Sequence, residues 1–166
     1  MDPSLIETLW RAERDAMVRA VFLTCGDVHR SAEVVDEAFA TVFARTTRPP
    51  AIDDLRSYLW RAAFNGARQA GRRRRRDDET VELIGRRRVE RSDGAEVEPW
   101  DDLADCLATL EPRTRAAIVL RYYGDFTVPQ VADQLGIPLG TAKSLLHRGL
   151  VALRGQLEPT TRSDLR

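Results

Sequence analysis

The feature that most constrains the fold is an ordered set of helix start and stop signals in residues 111–157. Thr127 and Gln130 have the spacing of a capping box, in which two side chains bond free backbone N–H groups at a helix start. Residues 136–138, Gly-Ile-Pro, predict a tight turn, because glycine readily adopts positive φ. With Ala132 as the small residue where two helices cross steeply, this order predicts a helix-turn-helix.

The second helix of this motif carries polar side chains opposite its apolar stripe. The stripe predicted to be buried comprises Ala142, Leu146, Leu150, Leu153 and Leu157. Hydroxyl, ammonium, imidazole and guanidinium groups near the helix start suit base edges and phosphates in a major groove, assisted by the helix dipole. These candidate DNA-binding residues are Thr141, Lys143, Ser144, His147 and Arg148. The alternative is a structural helical hairpin with a solvated polar face.

Two further helices are predicted earlier in this C-terminal block. The first is lined by leucines at 103, 107 and 110 and ends near Pro112. The second runs through residues 117–122, and Gly124 is predicted to cap its end. Because neither this block nor the N-terminal one shows the alternating apolar pattern of strands, the expected fold class is all-α.

Three helices are predicted in the N-terminal block. Pro3 can start the first, which Gly26 can close with a left-handed cap. Ser31 is predicted to cap the second, and Asp53 or Asp54 the third. The apolar positions expected on their buried faces are Leu5, Leu9, Ala12, Ala16 and Ala20 in the first helix, Val35, Ala38, Phe39, Val42 and Phe43 in the second, and Leu55, Tyr58, Leu59, Ala62 and Ala63 in the third.

The third helix has a basic face that is a candidate nucleic-acid surface. Arg61, Asn65, Arg68 and Arg72 recur at spacings of three or four, Trp60 and Phe64 border them, and the arginine run 72–76 extends the stripe. Cations can neutralise phosphates while aromatic and amide groups stack on, or bond to, unpaired bases. Solvated arginines, with Trp60 packed in the core, remain the alternative.

The second helix has an acidic face. Glu33, Asp36 and Glu37 lie opposite its apolar stripe and form a compact patch suited to a basic partner protein. A solvated surface would give the same pattern. The N-terminal block is therefore expected to be electrostatically polarised, with an acidic side and a basic side.

Composition limits the function classes. The 26 basic and 26 acidic residues cancel, so any nucleic-acid contact must be local. Residues 77–99 are charged and poor in apolar side chains, which predicts a flexible linker. The expected organisation is two small helical domains joined by that linker: an N-terminal bundle at 1–76, the linker at 77–99, a helix-turn-helix domain at 100–158 and a disordered tail at 159–166.

Catalytic and metal chemistry find little support in the sequence. Cys25 and Cys106 are far apart, with no Cys/His cluster, so neither a zinc site nor a disulfide framework is indicated. A phosphate-binding glycine loop and a nucleophile-base pair are also lacking, and we expect no cofactor, no metal and no enzymatic activity. With no apolar run long enough to span a bilayer and no signal sequence, the chain is expected to be cytoplasmic.

Three segments resemble a known family, the two-domain sigma-70-type factors called extracytoplasmic function (ECF) sigma factors. The stretch LEPRTRAAIVLRYYGDFTVPQVADQLGIPLGTAKSLLHRGLVALRGQL is similar to their region 4. SAEVVDEAFATVFAR resembles region 2.2, and LRSYLWRAAFNGARQAGRRRRR resembles regions 2.3 and 2.4, in the family's order. The resemblance covers most of the chain apart from the linker and the two ends.

The resemblance implies a role for each candidate surface. Region 2.2 would bind the clamp helices of the RNA polymerase largest subunit, through Glu33, Asp36, Glu37 and Phe39. Regions 2.3 and 2.4 would melt the minus-10 element and capture a flipped base, through Trp60, Arg61, Asn65, Arg68 and Arg72. Region 4 would read the minus-35 duplex, through Thr141, Lys143, Ser144, His147 and Arg148.

The family also implies partners and a function. The expected function is that of a sigma factor, which binds core RNA polymerase and directs promoter-specific transcription initiation. Expected partners are the polymerase core, including the flap of its second-largest subunit, promoter DNA and an anti-sigma factor, with a monomer when free and no membrane contact. A stand-alone repressor or activator is the alternative, and it would bind duplex DNA as a dimer.

Several residues depart from the family's common pattern. Leu145 and Leu150 stand where arginines are common, and Gly149 stands where alanine is usual. Phe64 and Gly66 replace residues that are more often an arginine and an aliphatic. The sequence therefore predicts a weakly charged recognition helix, in which Gly149 costs about 1 kcal/mol of helix stability relative to alanine.

Overall fold

The computed structural model describes residues 3–45, 52–79 and 100–157. The helices within those ranges are α1 Pro3–Cys25, α2 Val28–Arg45, α3 Ile52–Glu79, α4 Trp100–Ala108, α5 Pro112–Tyr122, α6 Val128–Leu135 and α7 Leu139–Leu157. The described ranges contain no strand, which agrees with the all-α prediction. Most of the predicted linker and the predicted tail, residues 80–99 and 158–166, lie outside the described residues.

The first two helices are separated by a glycine cap and an aspartate cap. Gly26 has a φ of +74° and donates its N–H to the Phe22 carbonyl at 2.7 Å, so the predicted left-handed end of α1 is confirmed. The prediction that Ser31 caps α2 is wrong. Asp27 accepts from the Arg30 N–H at 2.9 Å, while Ser31 is fully buried one turn into the helix.

The buried faces of α1, α2 and α3 differ from the predicted stripes at their edges. Ala12, Phe43 and Tyr58 are exposed, with Phe43 60% and Tyr58 49% exposed. Phe43 lies about 100° around the helix from the buried Val42, at the edge of the buried face of α2. Tyr58 lies about 200° around the helix from Trp60, the side on which Phe126 of the C-terminal block packs. The buried residues of α3 are Leu55, Leu59, Trp60, Ala63, Phe64 and Ala67.

A close approach of α2 to α3 explains Gly66. A Cβ built on this glycine would lie 2.7 Å from Cγ1 of Val34, which is shorter than carbon atoms tolerate. A larger aliphatic side chain at this position would push the two helices apart. The close packing of this pair of helices therefore accounts for a glycine at this position.

The helix-turn-helix has the predicted caps. The Thr127 side chain accepts from the Gln130 N–H, and the Gln130 side chain accepts from the Thr127 N–H at 2.8 Å, which completes the capping box. Gly136 has a φ of +62° and ends α6. The predicted cap at Gly124 is wrong in detail, because Asp125 is the residue with positive φ, at 55°.

Glu111 caps α5 and is expected to make stability depend on acid pH. Its pKa is lowered: burial, the largest influence, raises it, but hydrogen bonds from the Arg113 and Thr114 backbone and the Thr114 hydroxyl outweigh burial. A lowered pKa contributes stability above the unfolded-state value, about 4.3, and that stability is lost as pH falls through the folded-state pKa. We therefore expect wild type to lose stability faster than Glu111→Gln between about pH 5 and about pH 3. Urea denaturation at each pH measures this, and parallel curves would contradict the cap's role.

The buried face of α7 is rotated about the helix axis relative to the predicted apolar stripe. Ala142, Leu145 and Leu146 are buried, whereas Leu150 is 41% exposed. The rotation follows from Gly149, whose missing side chain lets the backbone of α7 lie against α5. Leu145 therefore belongs to the core, which explains why an arginine is absent there, and the prediction that Leu150 is buried is wrong.

Buried apolar residues of the N-terminal and C-terminal blocks form one continuous cluster. Helix α1 packs on α4 and α5, and α3 contacts α6. The division into two domains at 1–76 and 100–158 stays a prediction. In the structure, the two blocks pack against each other through buried apolar residues. Leu23 of α1 and Leu107 of α4 are both buried in that shared cluster.

Candidate nucleic-acid interface

The predicted major-groove residues all lie on the exposed face of α7. Thr141, Lys143, Ser144, His147 and Arg148 are exposed, while Ala142 and Leu146 between them are buried. The Ser144 hydroxyl donates to the Gly140 carbonyl at 2.9 Å. The fold therefore presents a hydroxyl, an ammonium, an imidazole and a guanidinium together at the amino-terminal half of one helix.

The turn before α7 fixes how that face is presented. Ile137 donates its N–H to the Ala132 carbonyl at 3.0 Å, and Ala142 donates to the Pro138 carbonyl at 3.0 Å. Leu139, the first residue of α7, is 43% exposed beside this face and is not among the residues predicted from the sequence. An exposed apolar side chain at this place is suited to a thymine methyl group. Its signal in the sequence is its position directly after the proline that ends the turn.

The basic face of α3 is only partly exposed. Arg61 and Asn65 are exposed, and Arg68 is half-buried beside a small cavity of about 40 Å³ that Pro112, Leu135 and other C-terminal residues line. The side chain of Arg72 lies outside the described residues. Two of the predicted minus-10 residues are thus open to solvent on one helix face.

The expectation that an accessible Trp60 ring borders the basic face of α3 is wrong. It is 1% exposed, its Nε1 donates to Glu13 Oε2 at 2.9 Å, and its ring packs edge-on to Phe126 with centroids 5.4 Å apart. Phe64, also 1% exposed, stacks on it at 6.0 Å. The ring is buried because α1 covers one side and the turn before α6 covers another. In this arrangement no base can stack on it.

Among the described contacts, the acidic face of α2 has one paired carboxylate, Asp36, and two glutamates for which no ion pair is seen. Glu33 and Glu37 are exposed. Asp36 accepts hydrogen bonds from Arg14 Nε at 2.9 Å and Nη2 at 3.1 Å. The hydrogen bond to Asp36 is the main reason that the pKa of Arg14 is raised. Because Arg14 neutralises Asp36, most of the uncompensated negative charge belongs to the two glutamates.

Phe39 supports the acidic face from beneath. It was expected to contact a partner directly, but it is 3% exposed and packs edge-on to Trp10 at 4.9 Å. Trp10 is 37% exposed, and the Arg14 guanidinium lies 4.9 Å from its ring centre. Trp10 is therefore an exposed aromatic ring beside this surface, in addition to Phe43 of α2, and no role was predicted for it from the sequence.

In the described part of the chain, no group of His, Cys, Asp and Glu side chains could hold a metal ion. The described helices also include none that is long and apolar enough to cross a membrane.

Known proteins resemble this chain in sequence over most of its length. Residues 100–153 match the family Sigma-70, region 4. The chain is 30% identical over 158 residues to the RNA polymerase sigma-E factor of Streptomyces antibioticus, covering 92% of this chain and 84% of that protein. It is 24% identical to the ECF RNA polymerase sigma factor SigW of Bacillus subtilis (strain 168), covering 87% and 84%.

Solved structures share the arrangement of helices. The sigma factor RpoE of Bartonella quintana, solved in complex with the anti-sigma factor NepR, aligns with a TM-score of 0.71 at 17% identity, covering 93% of this chain and 97% of that one. CnrH, solved in complex with the cytosolic domain of CnrY, aligns with a TM-score of 0.64 at 19% identity, covering 94% and 89%. At these identities the likeness concerns the fold.

Proposed function

Because this chain belongs to the ECF group of sigma-70-type RNA polymerase sigma factors, which direct polymerase to promoters, we propose how its surfaces divide that work. The C-terminal block, 100–158, reads the minus-35 duplex. The N-terminal block, 1–76, binds core polymerase and opens the minus-10 element, and residues 77–99 link the two.

The exposed face of α7 is the observation that carries this proposal. Its five polar side chains lie together on the second helix of a helix-turn-helix, within the segment that matches region 4. Arg148 and Lys143 supply charge for phosphates or guanine, while Thr141, Ser144 and His147 supply hydrogen bonds to base edges. With two cations among its five polar side chains, this face is a modest electrostatic anchor, so polymerase and the N-terminal block contribute much of the affinity.

The basic face of α3 is the proposed contact with the non-template single strand. Exposed Arg61 neutralises phosphate and exposed Asn65 bonds an unpaired base, with Arg68 and Arg72 continuing the stripe. Trp60 joins this surface only if the C-terminal block moves away from it. The protein acts without catalysis of its own and without a cofactor.

The acidic face of α2 is the proposed polymerase contact. Glu33 and Glu37 supply its charge, with Asp36 fixed by Arg14 and Phe39 supporting the surface from within. The clamp helices of the largest subunit are the proposed partner there, and the flap of the second-largest subunit is the proposed partner of the C-terminal block. An anti-sigma factor is a further proposed partner, since RpoE was solved with one. We place the protein in the cytoplasm, as a monomer when free.

A randomised promoter library tests the whole proposal. The protein is incubated with core polymerase and a library randomised at both promoter elements, and the transcribed templates are sequenced. We expect enrichment of a bipartite motif that requires both proteins. Absence of initiation, together with specific duplex binding by a dimer of the isolated protein, would indicate a stand-alone regulator instead.

Two alanine substitutions test the division of labour. Arg148→Ala is expected to weaken use of the minus-35 element, with a loss of about tenfold in initial promoter binding. Asn65→Ala is expected to leave that binding unchanged and to slow open-complex formation about tenfold. Gel-shift titration measures the first effect and permanganate footprinting of unpaired thymines measures the second. The same defect in both variants would contradict the assignment.

A further inference from the structure

A chain of contacts between α1 and α2 leads from the core to the exposed carboxylate of Asp36. The buried ring of Phe39 packs edge-on against Trp10, with ring centres 4.9 Å apart. The Arg14 guanidinium lies 4.9 Å from the centre of the Trp10 ring. Its Nε donates to Asp36 Oδ1 at 2.9 Å, and its Nη2 donates to Oδ2 at 3.1 Å. One arginine therefore joins an aromatic ring of α1 to an acid of α2.

This ion pair is held in place by more than its charges. Two hydrogen bonds from one guanidinium to one carboxylate restrain both the position and the rotation of the carboxylate. The ring beneath the guanidinium restrains the arginine in turn, because a cation over an aromatic face is attracted to it. The Arg14 side chain is 28% exposed, whereas that of Asp36 is 45% exposed. The arginine is thus packed against the protein while the carboxylate remains open to a partner.

The bonds to Arg14 leave part of the carboxylate free to accept others. An ionised carboxylate has about four lone-pair sites, two on each oxygen, and Arg14 uses one on each. One site on each oxygen is left for a donor from a partner, such as a guanidinium or an ammonium group. Asp36 can therefore bind a second cation without releasing Arg14.

The surface around Arg14 stays acidic in spite of its positive charge. Asp15 Oδ1 lies 3.5 Å from Arg14 Nη1, and the Asp15 side chain is 82% exposed. Glu33 and Glu37 are exposed on α2, one helical turn before Asp36 and directly after it. These four acids outnumber the one arginine among them, so the group as a whole attracts a basic partner.

We propose that Arg14 is a positioning residue of the polymerase contact: held by Trp10, it fixes the Asp36 carboxylate in the orientation that receives a basic side chain of core polymerase. The proposal rests on the proposed function of the α2 face. Fixing the carboxylate before binding lowers the cost of ordering it on association. This role opposes the effect of the arginine's own charge, since a cation by itself repels a basic partner.

The difference in sign makes Arg14→Gln an informative variant. If Arg14 only reduced the charge of the surface, its loss would make binding to core polymerase tighter. Because Arg14 positions Asp36, we expect its loss to weaken binding about tenfold. Arg11→Gln is the matched control, since it makes the same charge change on α1 at an exposed arginine that pairs with Glu7. We expect this control to bind as wild type does, or slightly more tightly.

A double-mutant cycle with Asp36→Asn tests whether Arg14 acts through the carboxylate. Fluorescence anisotropy of the labelled full chain, titrated with core polymerase without DNA, measures the affinity of each variant. We expect Arg14→Gln to cause no further weakening when Asp36→Asn is already present. Circular dichroism and thermal unfolding establish that the variants are folded at the assay temperature.

A variant of the ring tests what holds the arginine. Trp10→Leu removes the aromatic face but leaves both partners of the ion pair. We expect it to weaken binding about threefold, which is the size of an exposed cation–π contact, and only while Arg14 is present. Trp10→Leu combined with Arg14→Gln should therefore bind as Arg14→Gln alone does.

Three results would overturn the inference. Unchanged or tighter binding by Arg14→Gln would mean that the arginine does not position Asp36 for the partner. Equal weakening with and without Asp36→Asn would mean that Arg14 does not act through the carboxylate. Weakening by Trp10→Leu that persists without Arg14 would mean that the ring acts by another route than holding the arginine.

Reversing the charges of Glu33 and Glu37 separates failure of the inference from failure of the proposed function. If Glu33→Lys with Glu37→Lys weakens binding to core polymerase while Arg14→Gln does not, only the inference is wrong. If neither variant weakens binding, the α2 face is not the polymerase contact, and the function proposed for that face is wrong as well.

Discussion

Gly149→Val is expected to destabilise the protein by about 3 kcal/mol, because the side chain would enter space that α5 already fills. A Cβ on Gly149 would lie 2.7 Å from Cγ1 and 2.9 Å from Cδ1 of Ile118, and 3.0 Å from Cγ2 of Thr114. Both neighbours are buried, so α7 would have to move away from α5. For a chain of this size, the loss corresponds to a fall of roughly 6–12 °C in the melting temperature.

Gly155→Ala is the matched control in the same helix. A Cβ on Gly155 meets nothing within 4 Å, so alanine is expected to raise stability by about 0.5–1 kcal/mol through helix propensity alone. Thermal and urea unfolding, followed by circular dichroism, measure both variants. Equal effects at the two positions would show that Gly149 has only a propensity role and that the close packing of α7 on α5 is wrong.

A comparison of the glycines in this chain shows which parts of the fold can be predicted from the sequence. Gly26 and Gly136 were predicted correctly because their role is local, a positive φ at a helix end. Thr127 and Gln130 were predicted for the same reason, since a capping box needs only neighbouring residues. From the sequence, Gly149 was predicted only to lower the stability of its helix. Its favourable role depends on close packing against Ile118 in another helix, which no local pattern identifies.

The candidate site follows the same distinction. Helical spacing correctly placed the five polar residues of α7 on an exposed face. It also placed Phe39 on a buried stripe, but it could not show that Trp60 is buried, because Phe126, which covers its ring, belongs to the turn before α6. Periodicity gives a residue's angle around its own helix, whereas exposure also depends on which helices pack there. The packing of the N-terminal and C-terminal blocks against each other could not be predicted from the sequence for that reason.

The double charge reversal Glu33→Lys and Glu37→Lys is expected to weaken binding to core polymerase at least about 100-fold. Both carboxylates are exposed and form no ion pair with the described residues, whereas Asp36 on the same face pairs with Arg14. Against a basic partner surface, each substitution replaces an attraction by a repulsion, and like charges facing each other across an interface cost several kcal/mol. Fluorescence anisotropy of labelled protein titrated with core polymerase, without DNA, measures the change.

A control variant must separate the effect of the protein's net charge on polymerase binding from the effect of where the charges lie. The control variant, Asp102→Lys with Asp133→Lys, makes the same total change at two exposed acids of the C-terminal block, on α4 and α6. If the α2 face is the stronger contact, this control binds core polymerase more tightly than the α2 variant does, although the C-terminal block is itself the proposed partner of the flap. Equal weakening of both variants would mean that the overall charge, and not the α2 face, governs binding. A salt titration adds a second criterion, since loss of a local attraction also flattens the dependence of affinity on ionic strength.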